Sequence, residues 1–496
     1  MQSVVMIAYF FPPEGNAGAY RPLRFVRHLP SFGWHPMVVT LETDNYERYD
    51  PALLKKIPSG TEIIRVSNRD PWPALLEKRA KRTQETIANA SAETTAQMLL
   101  AHHNFFRSRL REFVRTVEAR LYHPDMAMGW IRAAVKAIER VCRSKPADVV
   151  WATAGPVSSF HVAAKAAQRM GVPYVLDFRD AWTITFNDFE ARRPRWATLR
   201  DWNNMFRFLK GARSAIFRSH AEAECYYRAY RGALEPAKVH ILSNGFEGDV
   251  ERSMPLKGTK CELFYTGTLG DYRYDTLLDA ICSLKAWFPA EAALMHFHFV
   301  GEGNEVVAKQ AELLNLKDII TTEGAISQSA VAILAQKAHA LLLLGRPATM
   351  KGHELFAAAK LFGYLKTGKP IVGILPDDQA HEILQKVQVS TIADVTAPDK
   401  IVAVLRAVLR AWADDNLQSL APDLVACRAY SAEIQTRALV AALEGAPALD
   451  PFVPGRVDVP ASLRVSIARR EALFRKRSPK VRQDAHVAVN ALHNNP

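Results

Sequence analysis

The feature that most restricts this chain is its rhythm, in which short apolar runs alternate with longer stretches of helical periodicity. Strands are expected at Met37–Leu41, Glu62–Val66, Asp148–Ala152, Pro173–Phe178, Ala215–Phe217, Val239–Leu242, Glu262–Thr266, His296–Val300, Ile319–Thr322, Ala340–Leu344 and Pro370–Ile374. Runs that are apolar throughout suit strands buried on both faces, and helical crossovers between them require parallel pairing. The chain opens the same way, with a strand from Val4 to Phe10, a loop holding Gly15 and Gly18, and a helix from Arg21 to Leu29. Open α/β sheets keep ligands at the carboxyl ends of their strands, where glycines allow close backbone approach. No Gly-x-Gly-x-x-Gly follows the strand, and Pro12 and Pro13 stiffen the loop, so a dinucleotide site is not indicated.

At 496 residues the chain exceeds what one hydrophobic core supports. The α/β pattern breaks near Arg231–Lys238, which predicts two Rossmann-like domains facing across a cleft. The expected limits are 1–235 for the first, with a helical insertion at about 74–122, and 236–424 for the second. Helices at 425–450 that cross back to the first domain and a basic, poorly ordered tail at 451–496 are expected to follow. The five cysteines (Cys142, Cys225, Cys261, Cys282, Cys427) form no metal-ligand spacing and suit a reducing cytoplasm. No apolar run approaches the roughly 20 residues that span a bilayer. The first strand also lacks the flanks of a signal peptide.

Net charge is +13, and residues 451–496, with nine basic and three acidic residues, supply +6 of it. A second basic region spaces Phe106, Leu110, Phe113, Val114, Val117 and Leu121 at helical intervals with five arginines between them. Such a helix lies on an anionic membrane surface or packs on its own domain; both readings stand. Neither region interleaves aromatic and basic residues in the manner of a nucleic-acid platform.

Three stretches carry candidate chemistry. In Tyr174 to Trp182 a strand runs into Asp177, Arg179, Asp180 and Trp182, and Arg179 is expected to brace Asp177 or Asp180. Upstream, Thr153 to Ser159 leads into a helix carrying His161. Leu263 to Arg273 repeats the strand and glycine-loop arrangement with Gly267, Thr268 and Gly270, and Arg273 is placed to neutralise a diphosphate. The third stretch, Lys351 to Ile374, puts Lys360 near the amino end of a helix, where anions bind well.

Taken together, MIAYFFPPEGNAGAYRPLRFVRHLPSFGWHPMVVT, HPDMAMGW, VLDFRDAWT, ILSNGFE, YTGTLGDYR and KLFGYLKTGKPIVGI resemble, in order, the family 4 glycosyltransferases of the GT-B fold, in particular the bacterial group that builds surface polysaccharides. The resemblance covers roughly residues 1–70 and 122–410. It implies a retaining enzyme that moves a hexose from a UDP- or GDP-sugar to a glycan or lipid-linked acceptor, with no cofactor. The candidate catalytic set is Asp180, Arg179 and His161, with acceptor-side contacts from Asn16, Arg21, Asp177 and Trp182. Donor contacts would come from Gly15, Gly18, Gly267, Thr268, Arg273, Glu354, Lys360 and Leu361.

Breaking the anomeric bond leaves a nucleoside diphosphate whose developing charge needs preorganised donors or a cation. The metal-chelating alternative uses Asp-x-Asp, a triplet this sequence lacks, so protein donors and no metal are expected. One departure from the family is clear: the ribose-binding acid of the KLFGYL helix is Gly363 here, and Leu355 stands eight positions earlier with Glu354 beside it. Either Glu354 substitutes, or the nucleotide is held differently, or donor binding has been lost. An inert scaffold in a polysaccharide assembly and a nucleotide-sugar epimerase remain the alternatives.

Overall fold

The structure is a computed structural model and describes residues 2–42, 49–68, 123–184, 194–252, 255, 257–347, 349, 352–355 and 357–475. The helix expected over 106–121, with the rest of the 74–122 insertion, and the tail beyond 475 lie outside the described residues. The chain forms two compact units, one of Met1–Ile241, Ala438–Val457 and Val465–Pro496, the other of Leu242–Arg437 and Asp458–Arg464.

The first unit holds a parallel sheet of β1 (Gln2–Ile7), β2 (Trp34–Leu41), β3 (Glu62–Val66), β4 (Val149–Thr153), β5 (Tyr174–Asp177), β6 (Ser214–Phe217) and β7 (Val239–Ile241). Their order is β3-β2-β1-β4-β5-β6-β7. Helices α1 (Ala17–His28), α2 (Met128–Cys142), α3 (Ser158–Met170), α4 (Arg195–Gly211) and α5 (His220–Ala229) accompany it. In the second unit β8 (Cys261–Thr266), β9 (Met295–Val300), β10 (Ile320–Glu323), β11 (Ala340–Leu344), β12 (Ile371–Leu375) and β13 (Ile392–Asp394) pair in the order β10-β9-β8-β11-β12-β13. Its helices include α6 (Asp275–Trp287), α7 (Glu305–Leu313), α8 (Gln328–Lys337), α9 (Ala359–Thr367), α10 (Gln379–Lys386) and α11 (Pro398–Ala413). In both sheets the order reverses beside the first strand, at β1/β4 and at β8/β11, which is where doubly wound sheets open a crevice.

The leucine run of β11 shows why the strands read as unbroken apolar segments. Leu342 and Leu344 enter the core on one face of the sheet, and Leu341 and Leu343 enter the core on the other. A strand with helices on both sides has no polar face to alternate with.

Three boundaries differ from the sequence reading, one of them the expected end of the second domain at 424, since the second unit runs on to Arg437 and takes in Asp458–Arg464. The expected second domain begins at 236, but β7 pairs with β6 in the first sheet, so the change of unit falls at Leu242. The expected structureless tail from 451 is corrected as far as 475. Pro451 bridges His240, and helices α12 (Ala432–Glu444) and α13 (Arg464–Arg475) frame the segment. On α13, Ile467, Arg470 and Phe474 are fully buried, Phe474 stacks on Phe206 at 4.9 Å, and Glu471 pairs with Arg231 at 3.1 Å. A narrow apolar stripe was outnumbered by arginines, and charge content concealed it. Among the described residues no helix is long and apolar enough to cross a membrane.

Candidate functional site

The carboxyl end of β8 carries the most developed site. Gly267 N donates to Val300 O at 2.8 Å, which draws the loop after β8 against the loop after β9. Gly301 adopts φ +138°, and a Cβ there would collide with Gly267 O, so only glycine permits this backbone contact. Asn304 Nδ2 then donates to Gly301 O at 3.0 Å and fixes the second loop.

Lys360, the second residue of α9, reaches into this corner. Its Nζ sits 3.8 Å from the ring centroid of Tyr265 and 4.8 Å from that of Tyr272. The Nζ is shielded from solvent and has no hydrogen-bond partner, and burial pushes its pKa down to about 7. The ring faces supply some attraction for a cation, but among the described residues no carboxylate neutralises it. Tyr364 closes the corner by accepting from Thr266 N at 3.2 Å, and the Arg346 guanidinium lies 5.7 Å from the Tyr272 ring centroid. Asp378 caps α10, accepting from His381 N at 2.9 Å, and burial raises its carboxyl to about 7. A buried cation between two rings, without a counter-ion, is arranged to receive an anion.

Other expected donor residues are placed differently. Arg273 forms a bidentate pair with Asp275 at 2.7 and 2.6 Å, so its charge is already matched, and that pairing holds the Asp275 carboxyl below the usual range. Leu361 is wholly buried in the core and presents no side chain to a ligand. Thr268 is exposed, with Oγ1 3.5 Å from Glu302. Glu354 receives Ser462 N on one carboxylate oxygen and Ser462 Oγ on the other, so it is engaged by protein. A Cβ at Gly363 would meet nothing within 4 Å, so the position where the resemblance expects a ribose-binding acid opens into free space.

In the first unit the expected cluster separates into two pairs. Arg21 and Asp177, both essentially unexposed, form a bidentate bridge at 2.7 and 2.8 Å. They brace α1 against β5, and their burial removes them from the acceptor side. Arg179 pairs with Asp180 instead and donates to Ala154 O at 3.1 Å and Gly155 O at 3.2 Å. Its guanidinium lies close over Gly155 and Gly18, the two glycines that leave it room. Asp180 remains more than half exposed. Asn16 caps α1 by accepting from Gly18 N at 2.8 Å; Gly15 precedes it.

Trp182 is buried, and its backbone N donates to Tyr226 Oη at 2.9 Å, so it braces α5 and offers no open acceptor platform. His161 packs edge-on against Phe208 at 4.8 Å, and burial, with Lys165 next, pushes its pKa down to about 4. Among the described residues no hydrogen bond joins it to Arg179 or Asp180, and burial holds the imidazole neutral on a helix face. Among the described residues no group of three His, Cys, Asp or Glu side chains could hold a metal ion.

No family model matches the chain, and no curated protein matches its sequence. Solved structures match its shape. A sucrose-phosphate synthase from Thermosynechococcus elongatus is 12% identical with a TM-score of 0.55, over 89% of this chain and 98% of that one. A glycosyltransferase from Rickettsia africae is 12% identical with a TM-score of 0.55, over 90% and 98%. A mutant TarM of S. aureus, in complex with fondaparinux, α-GlcNAc-glycerol and UDP, is 10% identical with a TM-score of 0.52, over 89% and 100%. The chain has the GT-B fold.

Within that GT-B chain, the sequence reading found Lys360 but missed Tyr265, Tyr272, Arg346 and Asp378, which surround it or lie beside its ring neighbours. The tyrosines were visible inside the YTGTLGDYR stretch, where aromatic residues beside a glycine turn were the available signal. Arg346 and Asp378 lie after β11 and β12, and only the strand order brings those loops beside β8.

Proposed function

We propose that this GT-B chain is a glycosyltransferase that moves a hexose from a UDP- or GDP-sugar to a glycan or lipid-linked acceptor in polysaccharide biosynthesis, with retention and without a metal. The observation that carries the reading is the unpaired Lys360 Nζ between Tyr265 and Tyr272, at the switch point of the second sheet. A diphosphate supplies the missing negative charge and restores the ammonium that burial disfavours. UDP named in the TarM complex supports a nucleotide as the anion.

In this scheme Lys360 stabilises charge developing on the leaving diphosphate. The leaving phosphate takes the acceptor's proton, so no side-chain base is needed. Arg179 and Asp180, on the first unit, are proposed for the acceptor side with Gly18. A cytoplasmic setting with contact to an anionic membrane surface belongs to the same proposal.

The scaffold reading retains one specific support: Gly363 offers no acid for ribose, and Glu354 is already engaged. Calorimetric titration with UDP and GDP, followed by incubation with labelled UDP- and GDP-sugars, separates the two. Saturable nucleotide binding and acceptor-dependent release of nucleoside diphosphate support transfer. Absence of binding by both nucleotides refutes it and leaves the scaffold.

A further inference from the structure

Fourteen positions, 345–358, separate β11 from α9, and their distal part makes one short turn, His353–Leu355. Connections this long are uncommon within a compact unit. Here support comes from far along the chain, from Asp458–Arg464, which belongs to the same unit. Ser462 N donates to Glu354 Oε1 at 3.2 Å, and Ser462 Oγ donates to Glu354 Oε2 at 2.7 Å. Gly352 N donates in turn to Ser462 Oγ at 2.7 Å. One serine thereby satisfies both carboxylate oxygens and one backbone amide of the loop. Leu463 and Val459 are buried, and Arg464 Nε closes the segment on Val459 O at 3.2 Å.

The loop delivers the chain to Ala358, which is buried at the amino end of α9, and Lys360 follows two residues later. Lys360 Nζ has no hydrogen bond of its own to hold it, so its place between the tyrosine rings depends on where α9 begins. We infer that Ser462 is a positioning residue for the nucleotide site: through Glu354 and Gly352 it fixes the 352–355 loop and so sets Lys360 for the diphosphate. The inference rests on the donor-site reading above. Glu354 then serves as a tether, and a role as ribose ligand predicts the opposite sign, because removing Ser462 would free its carboxylate.

The test uses the full chain with Ser462→Ala, Ser462→Thr and Glu354→Gln. Binding of UDP and GDP is measured by calorimetry, and amide hydrogen exchange is followed over 345–360. Ser462→Ala is expected to weaken binding about tenfold, in keeping with loss of hydrogen bonds to a charged group. It also speeds exchange over 345–360 while the thermal midpoint moves little, and Ser462→Thr restores both. Glu354→Gln, which keeps an acceptor but loses the charge, gives an intermediate loss. Unchanged binding with unchanged exchange overturns the inference, as does tighter binding by Ser462→Ala. If the wild type binds neither nucleotide, the donor reading has failed on its own, and exchange over 345–360 still decides whether Ser462 holds the loop.

Discussion

Replacing Lys360 by Met removes the buried ammonium and keeps most of the side-chain volume between Tyr265 and Tyr272. The folded-state pKa of about 7 lies below the ordinary 10.5, so the unfolded chain binds this proton more tightly than the folded one. Below pH 7 both states carry the charge and the full penalty is present. Between about 7 and 10.5 the folded lysine is neutral while the unfolded one is charged, and the penalty shrinks as pH rises. Above 10.5 it is gone. The drop from 10.5 to about 7, at about 1.4 kcal/mol per pH unit, sets a ceiling of about 5 kcal/mol. Lys360→Met is therefore more stable than the wild type by a few kcal/mol near neutral pH and converges with it near pH 10. Urea unfolding of both proteins across that range, without ligand, measures the difference, and other titrating groups cancel between them. A stability difference that stays flat with pH refutes the argument that this ammonium is desolvated and unpaired. Added nucleoside diphosphate should raise the wild-type midpoint and leave that of Lys360→Met unmoved.

Three further outcomes are expected. Asp177→Asn leaves the Arg21 guanidinium buried with half its partner, and urea unfolding should show a loss of about 3–5 kcal/mol; a loss under 1 kcal/mol would mean that the bridge is not structural. Gly363→Ala fills open space on a helix and should stabilise by about 0.5–1 kcal/mol, while Gly363→Glu should fold and tighten UDP or GDP binding in calorimetry. Arg273→Ala should change nucleotide affinity less than threefold, because Asp275 already matches its charge; a loss comparable to that of a Lys360 substitution would move the phosphate contact to Arg273.

What the sequence revealed depended on distance along the chain. β11 was legible from five consecutive apolar residues, and Lys360 from its place at a helix start, because both signals are local. Asp177 and Arg21 looked like site residues, since charge at a strand end is costly without a purpose. Their purpose is each other, across 156 positions that no local pattern connects. The Ser462 tether to Glu354 spans 108 positions and was equally invisible. Helix α13 was missed for a different reason: its buried stripe includes Arg470, whose guanidinium lies 4.8 Å from the Trp202 ring centroid, and a buried arginine does not register as apolar.

Neither unit is a continuous length of chain, and this bears on synthesis. The first unit's sheet is complete at Ile241, yet Pro451, which bridges His240, is made only after Leu242–Arg437, and Phe474, which stacks on Phe206, emerges only near residue 475. At about 5–20 residues per second, translation from 241 to 475 takes roughly 10 to 50 seconds. For that interval Phe206 and Tyr230 lack the Phe474 ring that covers them in the finished protein. A ribosome-bound chain thus carries uncovered aromatic surface while its second unit is still being made, a window in which a chaperone has something to hold.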